Sequence, residues 1–145
     1  MPIAKSTLET FVSPDELKEV ILDFERYAEF LPEVESVEVL ERGDDTFKCK
    51  FHVHVAFAGV DVRTEYVVNY TAAGNEISWE LESSPSLTKN VGGWKLEETE
   101  DGETRAHYQA EIETNLAVSP EIQTMFIEEG LPKLMERFRD RAEEL

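Results

Sequence analysis

The chain has 145 residues, with 14 Lys and Arg against 32 Asp and Glu, for a formal net charge of −18. That length is enough to bury a sizeable core in a single domain spanning residues 1–145. The charge repels polyanions and leaves few cations to neutralise phosphates, so nucleic acid and anionic membrane surfaces are excluded as direct partners.

No stretch approaches the ~18 consecutive apolar residues of a membrane span, and no stable membrane insertion is expected. Met1 to Lys5 lack the basic start and apolar run of a secretory leader. Cys49 is the only cysteine, so no intrachain disulfide can form. Together these make a cytoplasmic location the expectation.

Residues 3–12 read as a first strand marked by Ile3, Leu8, Phe11 and Val12, with imperfect alternation. Ser13, Pro14 and Glu16 then form a helix start: a capping hydroxyl, a proline at the first helical position and a capping-box carboxylate. Leu17, Val20, Ile21 and Phe24 follow at helical spacing. The pattern predicts one helix over 14–25 and a short second one near 26–31, stopped by Pro32.

Val34, Val37, Val39 and Leu40 mark the second strand, and Gly43 to Asp45 its turn. Over 46–57, Phe47, Cys49, Phe51, Val53, Val55 and Phe57 share one face. Over 60–70, Val60, Val62, Thr64, Tyr66, Val68 and Tyr70 do the same. With Ala58 and Gly59 as a two-residue turn, Phe57 lies opposite Val60, Val53 opposite Thr64 and Phe51 opposite Tyr66. Taking Ala72 to Asn75 as the next loop sets Tyr70 against Ile77, Val68 against Trp79 and Tyr66 against Leu81.

With the turn at Glu100 to Gly102, Leu96 faces Ala106 and Trp94 faces Tyr108. Val91 has the opposite parity from Trp94, so a bulge is expected at Gly92 and Gly93, which leaves the facing of Lys89 and Asn90 open. Ser119 and Pro120 open a final helix whose apolar face runs through Ile122, Met125, Phe126, Ile127, Leu131, Leu134, Met135, Phe138 and Ala142 to Leu145. Gly130 and Pro132 fall inside it and predict a kink. The fold class is α+β, in the order β-α-α-β-β-β-β-β-β-α: a seven-stranded curved antiparallel sheet around a long C-terminal helix.

Such a sheet must cover its apolar face, and the helix over it encloses a volume suited to a small molecule. The expected ligand contacts are the inward positions. The helices and their flanks supply Tyr27, Phe30, Phe126 and Leu134. The third and fourth strands supply Phe51, Val53, Thr64, Tyr66 and Val68. The later strands supply Trp79, Leu81, Trp94 and Tyr108.

Asp23 to Pro32, Val37 to Leu40, Gly93 to Leu96, Gly102 to Arg105 and the Ser119 helix resemble the START/helix-grip (SRPBCC) superfamily. More narrowly they are similar to its coenzyme Q-binding and polyketide cyclase/dehydrase-like branch. The resemblance implies a helix-grip fold and a cavity for lipids, quinones or polyketides. It fixes no reaction.

The inward face of the third to fifth strands carries no Asp, Glu, His, Lys or Arg, so no catalytic residue, metal site or cofactor is assigned. His52 and His54 share a face and His107 lies on the last strand, all three outward by parity. Cys49 reads as a core thiol. The first expectation is therefore a carrier, chaperone or sensor of a hydrophobic small molecule. A cyclase or dehydratase would need Arg63, Lys89, Asn90 or Tyr108 in the pocket, and Arg63 reads as outward. The resemblance also permits a protein- or ribosome-interaction module, against which the charge argues.

Overall fold

The computed structural model of the protein describes residues 3–57, 59–114, 119, 121, 128 and 130–144. The elements are β1 (Ile3–Thr10), α1 (Pro14–Leu22), a 3-10 helix (Phe24–Glu29), β2 (Val34–Arg42), β3 (Thr46–Phe57), β4 (Val60–Ala73), β5 (Glu76–Ser83), β6 (Leu87–Glu98), β7 (Thr104–Thr114) and α2 (Leu131–Glu144). This is the expected order. All seven strands join one antiparallel sheet, ordered β1-β7-β6-β5-β4-β3-β2, so the first strand pairs with the last.

Ser13 accepts from the Glu16 N–H at 3.3 Å, and Pro14 sits in the first turn of α1. Leu17, Val20 and Ile21 are its buried stripe. The helix stops at Leu22, earlier than its apolar pattern predicts. Asp23 caps it, its N–H bonded to the Val20 carbonyl at 3.3 Å. The tighter 3-10 turn that follows swings Phe24 into the core, where it is 1% exposed.

In β1, Leu8 and Thr10 face inward and Phe11 just beyond it is 62% exposed, so the ragged alternation reflects polar residues on the inner side. The β3–β4 register is the expected one, with Phe57 opposite Val60, Val53 opposite Thr64 and Phe51 opposite Tyr66. In β6–β7, Leu96 faces Ala106 and Trp94 faces Tyr108, also as expected.

Two expectations are corrected. The β4–β5 hairpin closes on Ala73 opposite Glu76, leaving only Gly74 and Asn75 in the loop, with Gly74 at φ 62°. Tyr70 therefore pairs with Trp79 and Val68 with Leu81, two residues from the expected partners and with the same faces inward. Nor is there a bulge at Gly92 and Gly93: the pairing with β7 is regular from Lys89 to Glu98. The irregularities lie between Leu87 and Lys89, between Val67 and Val68, and twice along β2. Such irregularities bend and twist strands, which fits a sheet that curls around a helix.

In α2, Leu131, Met135, Phe138 and Ala142 are buried, and the helix packs against α1 and β1. Pro132 is the second residue of α2 and follows directly on Gly130 and Leu131. The expected helical turns over 122–127, Phe126 among them, lie outside the described residues; at the expected kink, Glu128 and Gly130 are in π-helical conformation ahead of the α-helix. No described helix is long and apolar enough to cross a membrane.

Candidate functional site: an aromatic circuit on the inner face

Burial falls from one end of the inner face to the other. Val68, Tyr70 and Ala72 of β4 are buried, while Val62, Thr64 and Tyr66 are only partly so. On β5, Ile77 and Trp79 are buried and Leu81 is half-buried. On β7, Thr104 and Ala106 are buried, and Ile112 is 42% exposed. Phe138 and Ala142 of α2 belong to the same buried core as the sealed end. The opposite end, around Thr64, Leu81 and Ile112, is the more accessible one.

Between the two ends the aromatic side chains close a circuit. Tyr27 meets Phe51 at 5.9 Å between ring centroids, Phe51 meets Tyr70 at 6.3 Å, and Tyr70 meets Trp79 at 5.7 Å. Trp79 meets Tyr108 at 5.7 Å, Tyr108 meets Trp94 at 5.0 Å, Trp94 meets Phe138 at 5.1 Å, and Phe138 returns to Tyr27 at 5.4 Å. Tyr66 stacks on Phe51 at 5.1 Å, and Phe30 sits edge-on to both Tyr27 and Phe138. Most of these pairs are tilted or edge-on, the geometry that aligns ring edges with ring faces.

The structure thus gathers Tyr27, Phe30, Phe51, Tyr66, Trp79, Trp94 and Tyr108 into one cluster. Val53 and Val68 are buried within the core beside it. Thr64 donates to the Ser86 hydroxyl at 2.8 Å at the accessible end, while Leu81 and Leu134 are half-buried at its margin. Tyr70 and Phe138 complete the circuit, though neither is among the expected contacts.

Asn90 is the other addition. It lies on the inner side of β6, is 6% exposed, and accepts a hydrogen bond from Trp79 Nε1 at 2.8 Å. Its facing follows from plain alternation back from Trp94, once the supposed bulge is removed. Gly92 has a reason of its own: a Cβ there would stand 2.7 Å from Trp79 Cζ2 and 2.3 Å from the Gln109 carbonyl oxygen. The glycine lets the indole lie against the sheet.

The polar tips in this cluster are neutral. Burial pushes the Tyr27, Tyr66, Tyr70 and Tyr108 hydroxyls well above the ordinary tyrosine range, so each stays protonated and available as a donor. Tyr27 spends its proton on the Ile21 carbonyl. Replacing Tyr27 by Phe strands that carbonyl and should cost about 1–3 kcal/mol, read as a lower urea midpoint.

Burial also pushes the Cys49 thiol up to about 12 from an ordinary 9.0. The sign follows: the unfolded thiol releases its proton first, so this contribution is complete below pH 9 and is lost as the pH climbs toward 12. Thermal midpoints should fall across that window, and less steeply for Cys49→Ala.

Among the described residues the charged candidates for the pocket are outside. Arg63 is exposed beside Glu35 at 3.6 Å, and Lys89 pairs with Glu111 at 2.7 Å. His52 and His54 face outward toward Glu38 at 3.1 Å and Asp61 at 2.6 Å, and His107 lies 3.5 Å from Glu97. Among the described residues no group of three or more His, Cys, Asp or Glu side chains is placed to hold a metal. An open groove of about 780 Å3 is lined by Lys5, Thr71, Ser78, Gly93, Lys95 and His107, and also by Trp94 and Tyr108.

The same architecture recurs in solved structures. A START superfamily protein from Mycobacterium smegmatis superposes with a TM-score of 0.82 at 19% identity, covering 98% of this chain and 97% of that one. The Zhui aromatase/cyclase from Streptomyces sp. R1128 gives 0.81 at 20% identity, covering 98% and 93%. A STAR-related lipid transfer protein from Xanthomonas axonopodis gives 0.77 at 16% identity, covering 96% and 84%. These likenesses establish the helix-grip fold. No curated protein matches the sequence. The sequence signature for polyketide cyclase/dehydrase and lipid transport matches residues 1–144. A sheet gripping a C-terminal helix, with that signature over nearly every residue, makes this chain a member of the polyketide cyclase/dehydrase and lipid transport family.

Proposed function

We propose that the protein binds one apolar or amphipathic small molecule, of lipid, quinone or polyketide-like character, between the sheet and the C-terminal helix, as a carrier, chaperone or sensor. The carrying observation is the closed aromatic circuit whose polar tips are all neutral donors. Aromatic walls with a few convergent polar groups are what small-molecule sites are made of. General acid–base chemistry needs a titratable group near neutrality within reach of the substrate. The inward positions of β3, β4, β5 and β7 supply only raised tyrosines and a raised thiol, and Arg63 and Lys89 point away.

A cyclase or dehydratase is the second reading, favoured by the inward placement of Tyr108 and Asn90. Loss of an assayed cyclisation in Tyr108→Phe would establish it; unchanged turnover would remove it.

Thermal unfolding against a panel of fatty acids, quinones and aromatic polyketides tests the binding reading. A ligand at 100 times its Kd adds about 2.7 kcal/mol, roughly 5–10 °C for a chain of this size. No shift with any member of the panel contradicts it.

A further inference from the structure

This inference rests on the binding reading and specifies the ligand's chemistry. Trp79 Nε1 donates to Asn90 Oδ1 at 2.8 Å. An indole N–H can only donate, so it fixes which end of the amide faces it and turns Nδ2 the other way. No acceptor for that Nδ2 is assigned among the described residues. Yet none of their sealed side-chain N or O atoms lacks a partner, so Nδ2 borders space rather than packed atoms. Asn90 is more than nine-tenths buried, which makes that space a recess of the inner face.

The surroundings narrow what the recess accepts. Asn90 lies opposite Ile112, two residues along β6 from Gly92, and against the Trp79 indole. The Tyr66, Tyr70 and Tyr108 hydroxyls have no hydrogen-bond partner assigned among the described residues either, and all are protonated. Among the described residues the wall therefore presents N–H and O–H donors and no cation. A carboxylate placed here would be a buried, unpaired charge, which is strongly unfavourable. A bare hydrocarbon would leave the amide N–H groups dry and unsatisfied.

We propose that Asn90 is the specificity-determining donor of the pocket, selecting a neutral ligand that carries a carbonyl oxygen on a flat apolar body. The amide N–H groups meet that oxygen, and the aromatic circuit packs against the body.

Two probes of nearly equal shape, acetylnaphthalene and isopropenylnaphthalene, differ in presenting C=O or C=CH2. Affinities are measured by titration calorimetry for the wild-type protein, Asn90→Leu and Asn90→Ala; the smaller alanine leaves room for a water to pair the indole. The ketone should bind about five- to tenfold more weakly to each variant, while the hydrocarbon stays within about twofold. In the wild type, the carbonyl stretch of the bound ketone should lie at lower frequency than in hexane, a readout that needs no variant to fold. An unshifted carbonyl band, or ketone affinity unchanged in a folded variant, overturns the role of Asn90 and leaves the pocket standing. If neither probe binds the wild type while a member of the panel of fatty acids, quinones and aromatic polyketides does, this inference falls and the binding reading stands; if none of them binds, both fall.

Discussion

Phe24→Ala should destabilise the protein by about 3–5 kcal/mol, the usual cost of emptying a fully buried phenylalanine site. Phe24 is 1% exposed and touches Tyr70 at 4.5 Å, Phe47 at 5.5 Å and Tyr27 at 5.7 Å. It is the first residue of the 3-10 turn, so it ties the N-terminal helices to the inner face of β3 and β4. Its ring also backs two members of the circuit, Tyr27 and Tyr70, from the side of the core. Chemical denaturation should show a lowered midpoint with little change in slope. Ligand affinity, measured below the transition, should fall too, because two of the circuit's rings lose their support.

Gly92→Ala should be nearly as damaging for a different reason. The new Cβ would stand 2.3 Å from the Gln109 carbonyl oxygen and 2.9 Å from Ala110 Cα, both backbone atoms of β7, and 2.7 Å from Trp79 Cζ2. The backbone cannot retreat without opening the β6–β7 ladder, so the indole must move as well. Overpacking of this kind costs about 1–3 kcal/mol or more. It should also break the bond from Trp79 to Asn90 and change tryptophan emission. Gly93→Ala separates the two effects. Its Cβ would meet the Ile77 carbonyl at 2.8 Å on the outer side of the sheet. That substitution should destabilise while leaving the Trp79 environment intact.

The parts of the fold that were legible in the sequence are those fixed by period-two alternation across a short turn. The β3–β4 hairpin is one: the two-residue turn at residues 58–59 sets its register, and the apolar sets of Phe47 to Phe57 and Val60 to Tyr70 then fall on one face. Parity alone does not fix the partner. Counting Ala72 to Asn75 as loop shifted the β4–β5 pairing by two residues, which leaves every side chain on its proper face and so gives no warning. The conformation of Gly74 decides it, and a positive φ is not spelled out by the residues around it.

Gly92 misled in an instructive way. Glycine in a strand signals a bulge or a close approach, and here it is a close approach, by an indole from the next strand. Reading it as a bulge hid the inward facing of Asn90, the most informative polar residue of the interior. The contact of Tyr27 with Phe138 was out of reach for another reason. It joins the 3-10 turn to the C-terminal helix, and no local pattern records how two distant elements meet. The neutral interior, by contrast, was legible early, because alternation alone sends Arg63, His52 and His54 outward.

The account's central claim is that the aromatic interior takes up a small apolar molecule. The chain has two tryptophans, Trp79 and Trp94, and both belong to the circuit, so their emission reports on that space alone. Titration with N-phenylnaphthylamine, a neutral apolar fluorophore that accepts energy from tryptophan, is the most direct measurement. The account predicts saturable quenching of tryptophan emission at a stoichiometry of one probe per chain, reversed by a competing unlabelled ligand. Quenching that rises linearly without saturation, or that no apolar competitor reverses, would contradict it.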